Sequence, residues 1–199
     1  MLEQLKKQFQ WPEEKPDLPF DEHGWFTEDN KVSLKQFIKS DTLVILEIGA
    51  WLGKSTRWLL NESKAIVITI DTWEGSKEHK PKEVEDNSLN FFNECKNRLP
   101  ILYDQFIANC WDYKASLIPV KLSSPLGIDV VGDYGVRPDL IYLDGSHEYL
   151  DVMADLRSIK KQFPDARLVG DDYNFPGVRD AIYSMSILTD HIGGAWWEI

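Results

Sequence analysis

The sequence predicts an α/β protein with a doubly wound, mostly parallel sheet that is flanked by helices. From residue 41 onwards, short apolar runs typical of strands buried on both faces alternate with segments of helical periodicity. Strands that alternate with helices form parallel sheets through crossover connections. Such sheets bind ligands beyond the carboxyl ends of their strands, and the polar motifs of this chain follow its predicted strands.

Five buried strands are predicted from continuous apolar runs. They cover residues 43–49, 65–71, 118–123, 139–145 and 166–172. The closing residues AWWEI, 195–199, are predicted to form a last strand at or near the edge of the sheet.

Helices are predicted in the segments between these strands. They cover 54–60, 87–98, 102–111, 150–163 and 176–185, and Pro125 suits the first turn of a further short helix. Within 150–163, apolar residues recur at spacings of three and four, which predicts one buried helix face. These residues are Leu150, Met153, Leu156, Ile159 and Phe163.

The length of 199 residues is enough for one domain with one sizeable core. We expect a single domain over 1–199, in which 1–40 form an N-terminal arm with short helices and 41–199 form the α/β core. Three prolines with aromatic residues between them indicate that the arm is irregular after its first helix. The arm either packs its aromatic residues on the body or forms a wall of a substrate pocket.

The composition excludes several classes of partner. The chain has 33 acidic and 22 basic residues, a net charge of −11, whereas a nucleic-acid backbone requires clustered Lys and Arg. No apolar stretch reaches the roughly 18–20 residues of a membrane span, and the first residues lack the apolar region of a secretory signal. Cys95 and Cys110 have no metal-binding spacing and are expected to be reduced. We therefore expect a cytoplasmic protein whose partners are neither nucleic acids nor membranes.

The first motif, EIGAWLGKST at 47–56, directly follows the first predicted strand and opens a helix. Its glycines, Gly49 and Gly53, permit unusual dihedral angles and the close approach of a ligand. Trp51 occupies the position of the second glycine of a dinucleotide-binding turn, where a bulky side chain would crowd a pyrophosphate. Glu47 would repel phosphates, but it suits a cationic ligand such as the sulfonium end of S-adenosylmethionine (SAM). The alternative is an ordinary tight turn between strand and helix.

The second motif centres on Asp71, which ends the second predicted strand 22 residues after Gly49. An acid about 20 residues beyond the glycine turn accepts hydrogen bonds from ribose hydroxyls in nucleotide-binding folds. Trp73 and Ser123 are then candidates to flank an adenine by stacking and hydrogen bonding. The alternatives are that Asp71 caps a helix or turn and that Trp73 is a packed core aromatic.

The third motif joins two neighbouring strand ends. Asp144 and His147, in the sequence DGSH, follow the fourth predicted strand, and Asp171 and Asp172 follow the fifth. Three carboxylates in a small volume are costly unless a cation neutralises them, and hard oxygen ligands favour Mg²⁺ or Mn²⁺. His147 is at the same rim, where it is a candidate general base. The alternatives are capping and solvated charge for the acids, and a structural role for the histidine.

Together these motifs resemble those of the class I SAM-dependent methyltransferases, which have a Rossmann-like fold. The matching segments are EIGxWxGxST, IDTW, LDGSHEY and GDDYxxPGV, and the resemblance covers roughly residues 41–182. Within that class, the chain is most similar to the metal-dependent sugar O-methyltransferases of macrolide and aminocoumarin pathways. DGSH combined with GDDY is the more specific part, because the first two motifs occur across the superfamily.

The resemblance implies a role for each matching residue. SAM would be held by Glu47, Gly49, Gly53, Ser55 and Asp71. The divalent ion, Mg²⁺ or Mn²⁺, would be held by Asp144, Asp171 and Asp172, and His147 would be the catalytic base beside Asp144. The family normally ends in a reversed hairpin, whereas only about fifteen residues follow Met185 here. We therefore expect a sixth strand that is short or missing.

The implied reaction is methyl transfer to a hydroxyl group of a small-molecule or glycan acceptor, and this hydroxyl loses its proton beside the metal. A sugar acceptor is favoured by the DGSH motif and by aromatic residues expected to be exposed, Trp25 and Trp73, which can stack on a pyranose. A catechol or phenol acceptor would use the same metal site. Two further alternatives are a non-catalytic partner module of a glycosyltransferase and a nicotinamide oxidoreductase, which Trp51 disfavours.

Overall fold

The computed structural model of the chain describes residues 1–76 and 93–199. Within these two ranges, seven strands form one sheet. The strands are β1 (Val44–Ile48), β2 (Ile66–Asp71), β3 (Leu117–Lys121), β4 (Leu140–Leu143), β5 (Arg167–Gly170), β6 (Thr189–Ile192) and β7 (Ala195–Glu198).

The sheet has the spatial order β3-β2-β1-β4-β5-β7-β6. The first five strands are parallel, and β7 pairs antiparallel with both β5 and β6. The five predicted buried strands are therefore confirmed, each within two residues of its predicted bounds. The predicted class, a doubly wound and mostly parallel α/β sheet, is confirmed as well.

The helices lie between the strands as predicted. In the described ranges they are α1 (Leu2–Gln8), α2 (Glu28–Lys35), α3 (Lys54–Glu62), α4 (Leu102–Cys110), α5 (Ser124–Asp133), α6 (Tyr149–Gln162) and α7 (Pro176–Ser184). Pro125 lies in the first turn of α5 and Pro176 begins α7, where the missing backbone N–H leaves no helical hydrogen bond unmade.

Helices cover both faces of the sheet because successive side chains of a strand point to opposite faces. Leu46 and Ile48 of β1 belong to a core formed with α5, α6 and α7. Ile45 of the same strand belongs to a second core, formed with α2, α3 and α4. Burial from both sides explains why these strands are continuous apolar runs rather than alternating ones.

The N-terminal arm packs aromatic residues on the body of the protein and also lines a cavity. Trp11 packs edge-on against Trp111 with ring centroids 5.8 Å apart, and its Nε1 donates a hydrogen bond to the Leu117 carbonyl at 3.0 Å. Phe26 is buried in the core that includes α3. Trp25, by contrast, is 45% exposed and lines the large cavity at the carboxyl edge of the sheet.

The prediction for one residue of α6 is wrong. Leu150 is 75% exposed, whereas Met153, Leu156, Ile159 and the following Phe163 are buried. At 3.6 residues per turn, three successive steps of three residues drift around the helix, and Leu150 lies about 120° from Leu156. Val152, four residues before Leu156, takes the buried position instead.

The C-terminal strands form a short reversed hairpin. β6 is present with four residues, so of the two alternatives the sixth strand is short rather than missing. The strand predicted over AWWEI, β7, lies one strand in from the edge, because β6 pairs outside it. Gly193 and Gly194 connect the two strands, and Gly193 has a φ of +56°, as two-residue hairpin turns require.

The helix predicted over 87–98 lies partly outside the described residues. Of the part that the structure describes, 93–95 are helical and 96–98 form a turn. Across residues 1–76 and 93–199, no helix combines the length and apolarity needed to cross a membrane.

A buried acid joins α5 to α6. Asp155 is 1% exposed, and its Oδ1 accepts a hydrogen bond from the Ser124 hydroxyl at 2.5 Å. Its Oδ2 is buried with no hydrogen-bond partner among the described residues. Burial therefore raises the pKa of Asp155 from 3.8 to about 7.

We expect Leu156→Ala to lower the free energy of unfolding by about 2–5 kcal/mol, because it leaves a cavity in the core beneath α6. Leu150→Ala, on the same helix, should change it by less than about 0.5 kcal/mol because that side chain is exposed. Urea denaturation of both variants measures the difference. Equal losses would contradict the helix orientation described above.

We expect Asp155→Asn to stabilise the protein above pH 7 and to have little effect near pH 4. Because the folded-state pKa of Asp155 is raised, the folded state binds the extra proton between about pH 4 and pH 7, and wild-type stability is lost as the pH rises through this window. The gain at pH 8 should be roughly 2–4 kcal/mol. Thermal unfolding from pH 4 to pH 8 measures it, with the exposed Asp165→Asn as control; a pH-independent difference would contradict the raised pKa.

Candidate active site

A cavity of about 650 Å³ opens at the carboxyl ends of the five parallel strands. A residue at or just beyond the end of each strand contributes to its wall. These residues are Gly49, Asp71, Ser123, Asp144 and Asp172. The cavity therefore lies where ligands bind in doubly wound sheets, and Trp25 and Phe26 of the N-terminal arm add to its wall.

The two glycines of the first motif have different tasks. Gly49 has a φ of +85°, and a Cβ there would lie 1.9 Å from the Asp144 carbonyl oxygen. It therefore permits the ends of β1 and β4 to approach each other at the cavity wall. Gly53, with a φ of +80°, is the N-cap residue directly before α3, and a Cβ there would lie 2.5 Å from the Cys110 sulfur. Gly53 does not line the cavity but lets α3 pack against α4.

Trp51 links the glycine turn to the N-terminal arm. Its backbone has a φ of +50°, an uncommon left-handed conformation for a bulky residue. Its indole Nε1 donates a hydrogen bond to His23 Nδ1 at 2.9 Å, and His23 Nε2 lies 2.7 Å from Glu94 Oε1. The indole also lines the cavity beside Trp25, with ring centroids 5.4 Å apart. A pyrophosphate turn has no side chain at this place.

Glu47 lies behind the turn rather than in the cavity. It is fully buried, and it accepts hydrogen bonds from the hydroxyls of Ser55, Thr56 and Thr69 at 2.5–2.6 Å. Burial raises the pKa of its carboxyl group. Because Glu47 alternates with Leu46 and Ile48 along β1, its side chain points to the α3 face of the sheet. Of the two partners in α3, Ser55 also contributes to the cavity wall.

Asp71 holds the turn in place from the end of β2. Its Oδ2 accepts hydrogen bonds from the backbone N–H groups of Ala50 and Trp51 at 2.9 and 3.0 Å, and its Oδ1 accepts one from the N–H of Trp73 at 2.7 Å. A carboxylate offers about four lone-pair positions. Asp71 faces the cavity with roughly one of them left for a ligand hydroxyl.

The two candidates for an adenine subsite are in different environments. Ser123 lines the cavity just after β3. Trp73 is 4% exposed, packs against Tyr103 and Phe106 at 5.0 and 4.7 Å, and donates its Nε1 hydrogen to the Trp51 carbonyl at 3.0 Å. The expectation that Trp73 is exposed is wrong. Trp73 is a packed core aromatic, which was the alternative given in the sequence analysis. It is outside the cavity wall, so it flanks no adenine bound there.

The three acids of the third motif converge. One carboxylate oxygen from each of Asp144, Asp171 and Asp172 lies within 4.8 Å of the others. Burial, followed by the repulsion of the neighbouring carboxylates, raises the pKa of Asp144 well above 3.8 and raises that of Asp171 as well. Tyr142 donates a hydrogen bond to Asp144 Oδ2 at 3.1 Å. The acids thus lie close enough to share one cation.

A second, small cavity of about 10 Å³ is directly beside these acids. Asp144, Asp171, Asp172 and His147 all contribute to its wall. A space of this size holds about one water molecule or one ion. The three carboxylates in its wall fit the oxygen donor set that Mg²⁺ or Mn²⁺ prefers.

His147 contacts the acid cluster directly. Its Nε2 is 2.6 Å from Asp172 Oδ2, and its ring packs on Phe175 with centroids 4.4 Å apart. Both rings line the large cavity. Because the ring lies at the wall of the large cavity, a bound molecule can reach it, and an imidazole can accept a proton near neutral pH.

Sequence reasoning missed the segment that supports His147. Phe175 is the N-cap residue directly before α7. A Cβ at Gly177, in the first turn of α7, would lie 2.2 Å from the His147 carbonyl oxygen. The start of α7 therefore rests directly on the DGSH loop. Pro176 indicated where this helix begins, but no local pattern indicated that its start rests on the DGSH loop.

A family model described as "Methyltransferase domain" matches residues 46–173, which is more than half of the chain. The matched range begins in β1 and ends just after the third motif, so it includes the glycine turn, Asp71 and the acid cluster. A comparison with curated protein sequences gave no significant match.

Several solved structures share the fold. Calicheamicin methyltransferase CalS11, also described as a TDP-rhamnose 3'-O-methyltransferase, has a TM-score of 0.53 at 12% identity, over 84% of this chain and 76% of its own. The O-methyltransferase NovP has a TM-score of 0.52 at 12% identity, over 84% and 75%. Precorrin 8w decarboxylase from Methanobacterium thermoautotrophicum has a TM-score of 0.53 at 13% identity, over 87% and 83%. At such identities the likeness shows the fold, and fold alone does not determine the reaction.

The fold, the glycine turn and the family match agree with each other. A nicotinamide oxidoreductase has no support from them. The chain belongs to the methyltransferase domain family and is a class I SAM-dependent methyltransferase.

Proposed function

We propose that the chain transfers a methyl group from SAM to a sugar hydroxyl in a reaction that depends on a divalent metal ion. One observation carries the proposal. Asp144, Asp172 and His147 line the same cavity as the glycine turn and Asp71, and Asp171 lies within 4.8 Å of the other two carboxylates. Cofactor-binding and acid–base groups therefore face the same space.

The cofactor would occupy the part of the cavity between the glycine turn and Ser123. SAM supplies a sulfonium methyl group that a nucleophilic oxygen can take. Gly49 and Ser55 would border its amino-acid end, and the remaining acceptor position of Asp71 suits one ribose hydroxyl. Glu47 and Gly53 would act indirectly, since they shape the turn from behind.

The metal ion would be held by Asp144, Asp171 and Asp172. When bound, Mg²⁺ or Mn²⁺ supplies a Lewis acid that lowers the pKa of a hydroxyl group. The raised pKa of Asp144 supports the assignment, because three such acids are most stable together when a cation neutralises them.

His147 would take the proton of the acceptor hydroxyl as general base. The contact of its Nε2 with Asp172 and its packing on Phe175 fix the orientation of the ring. General bases of this kind contribute about 10²–10⁴-fold to the rate. The chain's remaining task is to hold the hydroxyl oxygen and the methyl carbon in line, which needs no covalent intermediate.

A sugar is the acceptor that we propose. Trp25 and Phe175, each about half exposed at the cavity wall, offer apolar faces for a pyranose ring. CalS11, described as a TDP-rhamnose 3'-O-methyltransferase, is among the proteins with this fold. A catechol presents the same pair of adjacent oxygens, so a panel of sugar and catechol acceptors distinguishes the two classes.

We expect His147→Ala to reduce kcat by about 10²–10⁴-fold and to leave the affinity for S-adenosylhomocysteine within about twofold of wild type. The reason is that the ring handles the acceptor proton and does not form the glycine turn. His191→Ala, an exposed histidine on β6, is the matched control and should keep full turnover. Full turnover of His147→Ala would refute the assignment of the base.

We expect EDTA to abolish methyl transfer and Mn²⁺ or Mg²⁺ to restore it in the wild type. Asp144→Ala and Asp171→Ala should lose activity and no longer respond to added metal, because the remaining carboxylates bind the ion weakly. The acceptor panel, assayed with and without EDTA, measures this. Activity that survives EDTA would refute the metal centre while leaving a metal-independent methyltransferase.

A further inference from the structure

His23 of the N-terminal arm accepts a hydrogen bond from the glycine turn. The Trp51 indole Nε1 lies 2.9 Å from His23 Nδ1. An indole N–H can only donate, so Nδ1 is the acceptor and the imidazole carries its hydrogen on Nε2. Glu94 Oε1 lies 2.7 Å from Nε2 and accepts that hydrogen. The His23 ring is therefore held from both sides in one tautomer.

The backbone of Trp51 is held by other bonds. Its N–H donates to Asp71 Oδ2 at 3.0 Å, and its carbonyl oxygen accepts a hydrogen bond from Trp73 Nε1 at 3.0 Å. With the backbone held in the left-handed conformation, an indole can still turn about its two side-chain bonds. A directional hydrogen bond at Nε1 selects one of these orientations. The bond to His23 therefore acts on the plane of the ring and not on the turn itself.

The indole borders the part of the cavity that we assign to the cofactor. Trp51 lies in the chain between Gly49 and Ser55, which would border the amino-acid end of SAM, and its backbone is bonded to Asp71. Trp25 lies beside it at the cavity wall, with ring centroids 5.4 Å apart. A change in the plane of the indole therefore changes the shape of the space that receives the cofactor.

We infer that His23 is a positioning residue of the cofactor site, whose imidazole fixes the Trp51 indole in the plane that the cofactor contacts. The inference rests on the cofactor placement in the proposed function, and it needs neither the metal ion nor the sugar acceptor. A ring that is ordered before binding loses less side-chain entropy when a ligand contacts it. His23 is itself outside the cavity wall, so it raises cofactor affinity through Trp51.

The alternative is that His23 only fastens the arm to the body of the protein. The arm is already fastened on each side of His23. Before it, Asn109 accepts a hydrogen bond from the Asp21 N–H at 3.1 Å and donates one to the Asp21 carbonyl at 2.8 Å. After it, Lys54 Nζ donates a hydrogen bond to the Gly24 carbonyl at 3.0 Å. We therefore expect the arm to stay in place when the His23 ring is replaced.

The test measures the affinity for S-adenosylhomocysteine by calorimetry in EDTA. We expect His23→Ala to weaken binding by about 3- to 10-fold, the factor that corresponds to ordering one side chain. Trp51→Phe keeps an aromatic ring but removes Nε1, and it should weaken binding by at least a similar factor. Adding His23→Ala to Trp51→Phe should then cause no further loss, because the hydrogen bond is already absent.

Two further variants separate the orientation of the ring from general damage to the arm. His23→Asn places an amide oxygen where Nδ1 was, so it keeps an acceptor for Trp51 and should bind within about twofold of wild type. Glu22→Gln is the matched control, because it breaks the exposed 2.7 Å ion pair between the arm and Arg57, and it should also bind within about twofold of wild type. Melting temperatures establish that each variant is folded at the temperature of the titration.

The outcomes separate this inference from the proposed function. Wild-type affinity in His23→Ala, or a loss that persists in the Trp51→Phe background, would overturn the positioning role. A loss in His23→Asn or Glu22→Gln as large as that in His23→Ala would overturn it as well. In each of these cases, binding by the wild type leaves the cofactor placement standing. Absence of binding by the wild type would overturn the cofactor placement and this inference together.

Discussion

Three carboxylates at the ends of β4 and β5 lie within 4.8 Å of one another, and the rest of the site is arranged around the charge that this creates. Burial, and then the repulsion of the neighbouring carboxylates, raises the pKa of Asp144 well above its ordinary value. The backbone beside Asp144 is also tightly packed, because Gly49 lets the ends of β1 and β4 come into close contact there. Tyr142 and His147 beside the acids are polar groups that can donate to them. In the proposed function, a divalent cation bound by the three acids would neutralise this repulsion.

Much of the fold could be predicted because its strands are buried on both faces. A continuous apolar run needs only to be recognised, whereas the exposed edge strand β6, with the sequence TDHI, has no apolar pattern to recognise. The Gly193-Gly194 turn was the available signal for that hairpin. Leu150 was misassigned for a different reason. Spacings of three alone drift around a helix, and the burial of Val152 shows which face the neighbouring helices cover.

The site was predictable to the extent that topology alone determines it. Asp144 and Asp171 follow adjacent parallel strands, so their proximity depends on strand order and not on details of packing. The direction of individual side chains is a different matter. The side chain of Glu47 points to the α3 face of the sheet because of its position in the alternation of β1. Trp73 is buried because it packs against α4. The contact of the first turn of α2 with the β6–β7 turn joins distant segments, and no local pattern encodes it.

We propose that the cavity at the carboxyl edge of the sheet binds SAM whether or not a metal ion occupies the acid cluster beside it. The most direct measurement is a calorimetric titration of S-adenosylhomocysteine into the purified protein, once with Mn²⁺ and once with EDTA. We expect tight one-to-one binding in both conditions, because the glycine turn, Asp71 and Ser123 have their positions at the cavity wall without the ion. Absence of binding in both conditions would show that the cavity does not bind the cofactor, and binding with Mn²⁺ alone would show that it depends on the metal centre.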